Sequence, residues 1–511
     1  MNDILMTMKY YITTPIYYVN DKPHVGHAYA TIVADTFARY HRLIGDDVFF
    51  LTGTDENSQK NVEAARLSGE SDIQSYLDAQ SITWKETWQK LDISFDDFIR
   101  TTEERHKKGV LDFFNRVNKQ GDIYKGTYKG LYCKGCEAFV READLINGLC
   151  QFHKKPPQVI EEENYFFRCS KYRDQLLAYI DQNPEFVQPI SRRNEIINYI
   201  RDHFEDVSIS REKSEWGIPL PIDPTHVVYV WFDALINYLT GVGFGWDEKL
   251  FWRYWPADVH IVGKDIIKFH CALWPAMLLS AGLPLPKRIF AHGFFTIDSE
   301  RIGKSMGNAI DPLELVRTRG LDTLRYFLLR EIPFGGDGDF SVTRLESRYA
   351  SDLAKGIGNF VSRVLTLAEK ISYSSSLANK LGEHEEQAAK TSANAYTKWK
   401  AGFKTYSLHD CLDATWDLIR YGDQFIDKTK PWAIMKEDQA KAIQIIGILV
   451  ELVQQVSVLV YAFMPHAAEQ IWEQIGLQKT EIIGNGKAIG SWRPFLIYKI
   501  IKGPPLFPLT R

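Results

Sequence analysis

The first residues in this chain whose type and spacing could do chemistry are two imidazoles around a glycine, His24-Val25-Gly26-His27. Ring N–H groups beside a helix N-terminus suit an anion, and a glycine between them lets the backbone approach a ligand closely. Holding phosphate is the chemistry this implies. Two histidines satisfied within a turn would leave the same pattern, and four residues alone do not separate the readings. A second cationic feature is Arg301-Ile302-Gly303-Lys304-Ser305-Met306-Gly307-Asn308, a loop able to neutralise a polyphosphate when it closes, although a solvated surface loop can have the same composition. Asp55, in Gly53-Thr54-Asp55-Glu56-Asn57, is either a ligand carboxylate or the cap of a helix through Val62 to Leu67; on the residues alone the cap is favoured.

Cys133-x2-Cys136 and Cys150-x2-His153 supply two close pairs of zinc-type ligands. Each pair can wrap one corner of a tetrahedral ion, with Gly135 and Gly148 suited to the tight turns, and a closed set of four implies a structural site, not a hydrolytic one. Cys169 is the alternative fourth ligand to His153. With Cys271 and Cys411 scattered, the six cysteines do not form a disulfide framework, and in a chain expected to be cytosolic the cluster favours metal.

The elements that must carry these residues follow from periodicity. Lys9 to Thr13 reads as a strand, and Tyr29, Ile32, Val33, Phe37, Tyr40 and Leu43 recur at helical steps, so the histidines sit at a strand-loop-helix junction. Asp47 to Thr52 is a compact buried strand ending at the Asp55 loop, as in a parallel sheet whose ligands lie beyond the carboxyl ends of its strands. Near residue 120 glycines and tyrosines break the pattern, marking an insertion that contains the cysteines. The sheet is expected to resume at His226 to Trp231 and Asp258 to Gly263, and Arg288 to Ile297 reads as one strand before a turn at Asp298 to Glu300. Beyond about Asp352 strands give way to long amphipathic patterns. Leu353, Ile357, Phe360, Val361, Val364 and Leu365 share one face, Trp416 to Ile426 mark another segment and Ile443 to Phe463 a third, with Ser374 to Gln387 as the expected connector.

Length and composition bound the answer. A chain of 511 residues exceeds one ordinary domain, since ~150 residues per domain would imply three or so. Its 45% hydrophobic and 25% charged residues are the balance of a soluble enzyme. The net charge of -4 means any nucleic-acid footprint must be local, in patches such as Arg192-Arg193, Lys287-Arg288 and Arg317 to Arg330. Ala442 to Met464 is long enough to cross a bilayer, but Gln444, Glu451, Gln454, Gln455 and Ser457 interrupt it, so a buried bundle helix and no membrane partner are expected. Only eight residues precede the first strand, too few for a targeting segment, so a cytoplasmic location is expected.

Taken in order, the histidine pair, the zinc-type insertion, the late Lys-Ser loop and the helical C-terminal part resemble the class I methionyl-tRNA synthetases, along essentially the whole chain from Tyr11 to about Pro508. The resemblance implies an α/β fold: a Rossmann-like parallel-sheet catalytic domain split by a zinc-binding insertion, followed by an all-α helical-bundle anticodon-binding domain. It divides the chain into 1–118 and 227–294 for the two halves of the catalytic domain, 119–226 for the insertion, 295–351 for the loop and stem-contact region and 352–511 for the helical domain.

Residue by residue, His24, Gly26 and His27 resemble the HIGH signature, and Arg301 to Ser305 stand where the KMSKS loop does. Arg replaces the first Lys there, Ile the Met and Gly the first Ser, while Lys304 is intact. The resemblance implies catalytic roles for His24, His27 and Lys304, and ATP binding by His24, Gly26, His27, Gly263, Asp265, Arg301, Lys304 and Ser305. It implies a methionine pocket at Ile16, Tyr18, Trp231, Ala234, Leu235, Tyr238, His270 and Trp274, with Asp55 on the ammonium group. Leu235 falls where some members carry proline. Asn359, Arg363 and Trp432 match positions that bind a CAU anticodon, and Cys133, Cys136, Cys150 and His153 the ligands of one structural zinc. The implied reaction uses Mg-ATP and L-methionine to charge tRNA(Met), initiator and elongator alike, by an enzyme expected to be a monomer. The alternatives are another class I synthetase, or a non-catalytic tRNA-binding zinc protein, against which the intact histidines and Lys304 argue.

Overall fold

The computed structural model describes residues 8–509 other than 136–137, 141, 152–153, 213, 298–299, 302–309, 376–382, 487, 494, 496 and 498. Its packing divides the chain into two units, one of residues 9–23 and 49–292, the other built around 24–48 and 293–511.

The first unit is organised by a six-stranded sheet of β1 (Lys9–Tyr18), β2 (Asp47–Asp55), β3 (Asp97–Arg100), β4 (Val187–Gln188), β5 (Val259–Gly263) and β6 (Ile289–His292), in the order β3-β2-β1-β5-β6-β4. The pairs β1–β5, β5–β6, β6–β4 and β2–β3 all run parallel, with Thr13 opposite His260 and Gly263 opposite His292. Tyr11, Ile12 and Thr13 are fully buried in β1, as is all of β5, the signature of strands covered on both faces. This is the Rossmann-like parallel sheet expected. β4, drawn from the inserted stretch, was not legible, because two residues carry no period.

The insertion is antiparallel. Ile123–Cys133 and Gln158–Phe167 pair along their length, from Ile123 opposite Phe167 to Tyr132 opposite Gln158. The expected strand over His226 to Trp231 is corrected. Asp223–Val228 belongs to a separate antiparallel sheet with Ser210–Glu212 and Pro219–Leu220, and Val230–Ala234 is already helical. Pairing with Ser210–Glu212 consumes the strand up to Val228, and the Tyr229 N–H donates to Ile209 O where the chain turns. The single strand over Arg288 to Ile297 also divides, into β6 and Phe295–Ile297. A Cβ on Gly293, between them, would lie 2.1 Å from Gly336 O, so close backbone approach bends the chain there.

The second unit joins α1 (Val25–Ile44) to α2 (Leu321–Glu331), α3 (Asn359–Lys370), α4 (Glu383–Lys404), α5 (Leu408–Thr429), α6 (Gln439–Val460) and α7 (Pro465–Gln474). The apolar face of α1 packs on α4: Tyr40 stacks on Phe403 at 3.9 Å and Phe37 meets the same ring edge-on. Asp35, fully buried on α1, takes Arg39 and Arg325 at 2.7 Å each, and Arg325 Nε donates to Phe463 O at 2.9 Å. Two guanidiniums on one carboxylate offset the desolvation of a charge that would otherwise not be tolerated there.

The expected α3 face from Leu353 to Leu365 is buried throughout, although Tyr349–Gly358 is a widened turn with a non-helical Gly356. The expected connector is shorter than Ser374 to Gln387, since Glu383 to Gln387 already lie in α4; its first turns are too polar to show a period, yet Ala388 is fully buried. Among the described residues α6 alone is long and apolar enough to span a membrane, and 89% of its apolar stretch is buried inside the protein. Several of its polar side chains are bonded within the protein: Gln454 Nε2–H donates to Phe495 O, Gln455 Nε2–H to Ser491 O, and Ser457 Oγ accepts from Trp472 Nε1–H.

Candidate active site

His24 caps α1, and the cap is reciprocal. His24 Nδ1 accepts from Gly26 N–H at 3.1 Å, and His27 Nδ1 accepts from His24 N–H at 3.3 Å. The two rings stack with centroids 3.7 Å apart. Because a backbone N–H can only donate, each Nδ1 is an unprotonated acceptor, so each neutral ring carries its proton on Nε2. Burial, then the neighbouring His24, pushes the His27 pKa well below the ordinary imidazole value. The turn therefore fixes both rings in one tautomer at a helix N-terminus. Gly26 has a further reason to be glycine: a Cβ there would lie 2.9 Å from His24 Cε1, so the small residue makes room for the capping ring itself.

The described residues flanking positions 302–309 are held within this same unit. Arg301 pairs with Thr296, next to Phe295, whose ring meets Tyr29 of α1 edge-on at 4.7 Å. On the far side Val25 N–H donates to Ile310 O at 3.0 Å, one residue from His24. Lys304 and Ser305 lie outside the described residues.

In the sheet unit, Asp55 is the last residue of β2 and is 4% exposed. It does not cap the following helix. Gln59–Ser68 is capped by Ser58, whose hydroxyl accepts from Lys60 N–H at 3.1 Å. Gly263 ends β5, and Asp265 follows in a 3-10 turn. Ile16 and Tyr18 lie on β1, and Lys60 Nζ sits 4.3 Å from the Tyr18 ring centre.

The remaining pocket residues come together as an aromatic cluster. Trp231 stacks face to face on Phe269 at 3.9 Å and lies 6.1 Å from His270, while Tyr238 lies 6.1 Å from Trp274 and 4.2 Å from His260. Ala234 and Leu235 are buried on the same turn of chain. His270 Nδ1–H donates to Ile266 O at 3.1 Å, so its Nε2 accepts the Tyr238 hydroxyl at 2.8 Å. Burial lowers the His270 pKa to about 4, keeping the ring neutral at physiological pH. His260 is fixed in the same way: its Nε2 accepts from Trp274 Nε1–H at 3.4 Å, leaving Nδ1–H to donate to Thr13 Oγ1 at 2.7 Å. Trp231 Nε1–H is buried and has no hydrogen-bond acceptor among the described residues, the kind of unspent donor found where a ligand is to sit. Sequence reasoning missed Phe269, His260 and Thr13. Only the strand register between Thr13 and His260 would have found the last two.

At the insertion, Cys133 closes a strand pair opposite Ala138, and Cys150 begins a tight turn in which Lys154 N–H donates back to Cys150 O. Both thiols are 2% exposed, which suits buried metal donors at chain reversals. Cys136 and His153 lie outside the described residues, and among the described ones no three metal-type side chains converge. Cys169 is no alternative ligand beside Cys133. It follows Phe167, opposite Ile123, at the far end of an 11-residue strand from Cys133, about 30 Å away at ~3.3 Å per residue, and its thiol donates to Glu205 O.

In the helical unit Asn359 is exposed at the start of α3, and Arg363, one turn on, bridges Asp423 at 3.0 Å and Asp427 at 2.8 Å on α5. Lys430 ends α5 in a left-handed turn, Pro431 starts the next helix, and Trp432 projects 47% exposed from its first turn. An unburied indole close in chain to the Arg363 partners is not a core residue.

Residues 10–144 and 134–365 match the family model described as tRNA synthetases class I (M), and 377–489 the one described as the anticodon binding domain of methionyl tRNA ligase. The methionine–tRNA ligase of Thermotoga maritima is 43% identical over 511 residues, covering 98% of this chain and 80% of the relative. That of Caldanaerobacter subterraneus subsp. tengcongensis is 44% identical over 480 residues, covering 92% and 74%. Among solved structures, Mycobacterium tuberculosis methionyl-tRNA synthetase in complex with methionyl-adenylate matches with a TM-score of 0.93 at 37% identity, over 98% of this chain and all of that one. The free form of the same enzyme matches at 0.85 and 35%, over 99% of each. With family models matching both the sheet-bearing and the helical parts and relatives 43–44% identical over nearly its whole length, this chain belongs to the class I methionyl-tRNA synthetases.

Proposed function

We propose that this protein activates L-methionine with ATP and transfers it to tRNA(Met). The observation that carries the reading is full-length likeness, at 37% identity, to an enzyme solved with methionyl-adenylate. The methionine carboxylate attacks the α-phosphorus of Mg-ATP, the bond to the β-phosphate oxygen breaks, and pyrophosphate leaves. A hydroxyl of the terminal tRNA adenosine then attacks the acyl carbon and AMP leaves. The first step needs little covalent help, since charge builds on phosphate oxygens and preorganised donors stabilise it. His24 and His27 supply such donors through their Nε2–H groups. Lys304, with Arg301 and Ser305, brings positive charge to the departing pyrophosphate, and Gly26, Gly263 and Asp265 hold the nucleotide.

Asp55 takes the ammonium group of methionine. Its thioether lies among Ile16, Tyr18, Trp231, Ala234, Leu235, Tyr238, His270 and Trp274, where polarisable sulfur gains from aromatic edges. The apolar wall is consistent with Leu235, which is 1% exposed. Because one methylene is worth only about 1 to 3 kcal/mol in such a pocket, homocysteine is a foreseeable misactivated substrate.

Asn359 and Arg363 read anticodon base edges, and Trp432 stacks a splayed base, as single-stranded RNA is usually recognised. Both carboxylates on Arg363 would then have to release it or reorient with it. One zinc held by Cys133, Cys136, Cys150 and His153 would tie the two turns of the insertion together and take no part in the reaction. The same reading gives a cytoplasmic monomer of 58.9 kDa that charges both initiator and elongator tRNA(Met), which light scattering and separate charging assays check. Charging of tRNA(Met) with labelled methionine tests the function as a whole: methionyl-tRNA should accumulate with release of AMP, and failure to charge any tRNA with methionine would overturn it. Metal analysis should find near one zinc per chain, and active protein without zinc would remove that assignment.

A further inference from the structure

We infer that Asn57, His106 and Asp233 form a clamp that fixes the separation between Asp55 and the aromatic pocket, making them positioning residues for amino-acid selectivity. This rests on the pocket assignment proposed above. Asp233 lies in the short helix Val230–Ala234, between Trp231 and Ala234, and is fully buried. Its two oxygens are divided between two parts of the chain. Oδ1 accepts from His106 Nε2–H at 2.8 Å, and Oδ2 accepts from Asn57 Nδ2–H at 2.7 Å. Asn57 stands two residues beyond Asp55, so the second bond ties the ammonium receptor directly to the turn that carries Trp231 and Ala234.

Each arm is secured behind. Asn57 Nδ2 also donates to Thr101 O at 3.3 Å. His106 Nδ1 meets Thr240 Oγ1 at 2.8 Å, at the end of the helix Asn237–Thr240 that carries Tyr238. Between Asp55 and Asn57, the Glu56 carboxylate is held by Thr54 at 2.8 Å, by Arg100 at 2.8 Å and 3.0 Å, and by Thr102, while its N–H donates to Thr101 Oγ1 at 2.8 Å. His106, Asp233 and Thr240 are all fully buried and Asn57 is 9% exposed. A buried ionic network of this kind is a poor source of net stability compared with apolar packing, but it has one geometry in which every oxygen is satisfied. It therefore serves as a distance gauge: Asp55 on one side, Trp231, Ala234 and Tyr238 on the other, and a side-chain length permitted between them.

Loosening the gauge should blur discrimination by length. Asn57→Ala and His106→Ala should lower the ratio of kcat/KM for L-methionine over L-ethionine, which is one methylene longer, by about 10-fold, mainly through a higher methionine KM and with ATP KM unchanged. His106→Gln, whose side-chain amide can reach the same carboxylate, should restore most of the ratio. Because the ratio is read on a single preparation, loss of folded protein cancels. Asp55→Ala is the companion arm and should depress both amino acids together. If Asp55→Ala abolishes methionine activation while Asn57→Ala and His106→Ala leave the ratio unchanged, the clamp is overturned and the pocket stands. If Asp55→Ala leaves methionine KM unchanged, the pocket assignment itself fails and the clamp falls with it.

Discussion

The histidine turn and the aromatic pocket both keep imidazoles neutral, by opposite means. At the turn His24 and His27 spend their Nδ1 atoms on backbone N–H groups within the same four residues, so both rings are set by local geometry. In the pocket His270 is set by Ile266 O and the Tyr238 hydroxyl, and His260 by Thr13 and Trp274, partners from three separate stretches of chain. The proposed phosphate donors are oriented by the backbone of one motif. The proposed methionine wall is assembled mostly from groups far apart in the chain, the Ile266 O contact to His270 being the local exception.

The largest effects should come from breaking the local half. Lys304→Ala and His27→Ala should each reduce the rate of adenylate formation about 10²- to 10³-fold, as removal of one oxyanion-type donor does, with methionine KM within about 2-fold of the parent. Single-turnover kinetics with separately varied ATP and methionine check this; a loss confined to methionine KM would contradict the assignment. His24→Ala adds the loss of a helix cap, about 1 kcal/mol, readable as a lower denaturant midpoint.

Changes at the proposed recognition surfaces, the exposed Trp432 and the aromatic pocket, should act on binding instead. Trp432→Ala should keep adenylate formation and lower tRNA charging by roughly 10- to 100-fold, the worth of one base stacked on an aromatic ring. Normal charging by that variant would remove Trp432 from the anticodon site. Tyr238→Phe, which strands His270 Nε2 without its donor, should raise methionine KM about 10-fold while leaving ATP KM unchanged. A change in both constants would mean that the hydroxyl supports the fold instead of the pocket.

Legibility in the sequence follows the same division. The strand-helix junction, the parallel sheet and the amphipathic α3, α5 and α6 were readable because periodicity and a four-residue motif are local. The apolar face from Leu353 to Leu365 folded as expected. What escaped depended on distant partners. β4 joins the sheet from within the insertion, Asp223–Val228 pairs outside the parallel sheet, and Gly293 breaks a strand because Gly336 lies against it. Asp55 shows the limit most clearly: from residue type a helix cap was favoured, and only in three dimensions is Ser58 seen to hold that position. The pocket residues became candidates through resemblance, and Thr13 and His260, which carry no such match, were not candidates at all.

The smallest effect concerns pH and also separates the regions. For His270 the folded pKa, about 4, lies below the ordinary value of 6.5. Between those values the unfolded chain binds the proton and the folded one does not, so stability is full above pH 6.5 and declines as pH falls toward 4. His27 and His260, also lowered by burial, add to the same slope. Denaturant midpoints should therefore drop from pH 7 to pH 5, and His270→Gln should flatten part of that drop. Methionine KM itself should stay level from pH 6 to 8; an inflection near 6.5 would mean that an imidazole in the pocket titrates.

The central claim is met most directly by ATP–pyrophosphate exchange across a panel of amino acids, because exchange reports adenylate formation without any tRNA. Methionine should support rapid exchange, homocysteine a slower one, and cysteine, leucine, isoleucine and valine essentially none. Faster exchange with any of those four than with methionine, or no exchange with methionine in folded, ATP-binding protein, would contradict the account.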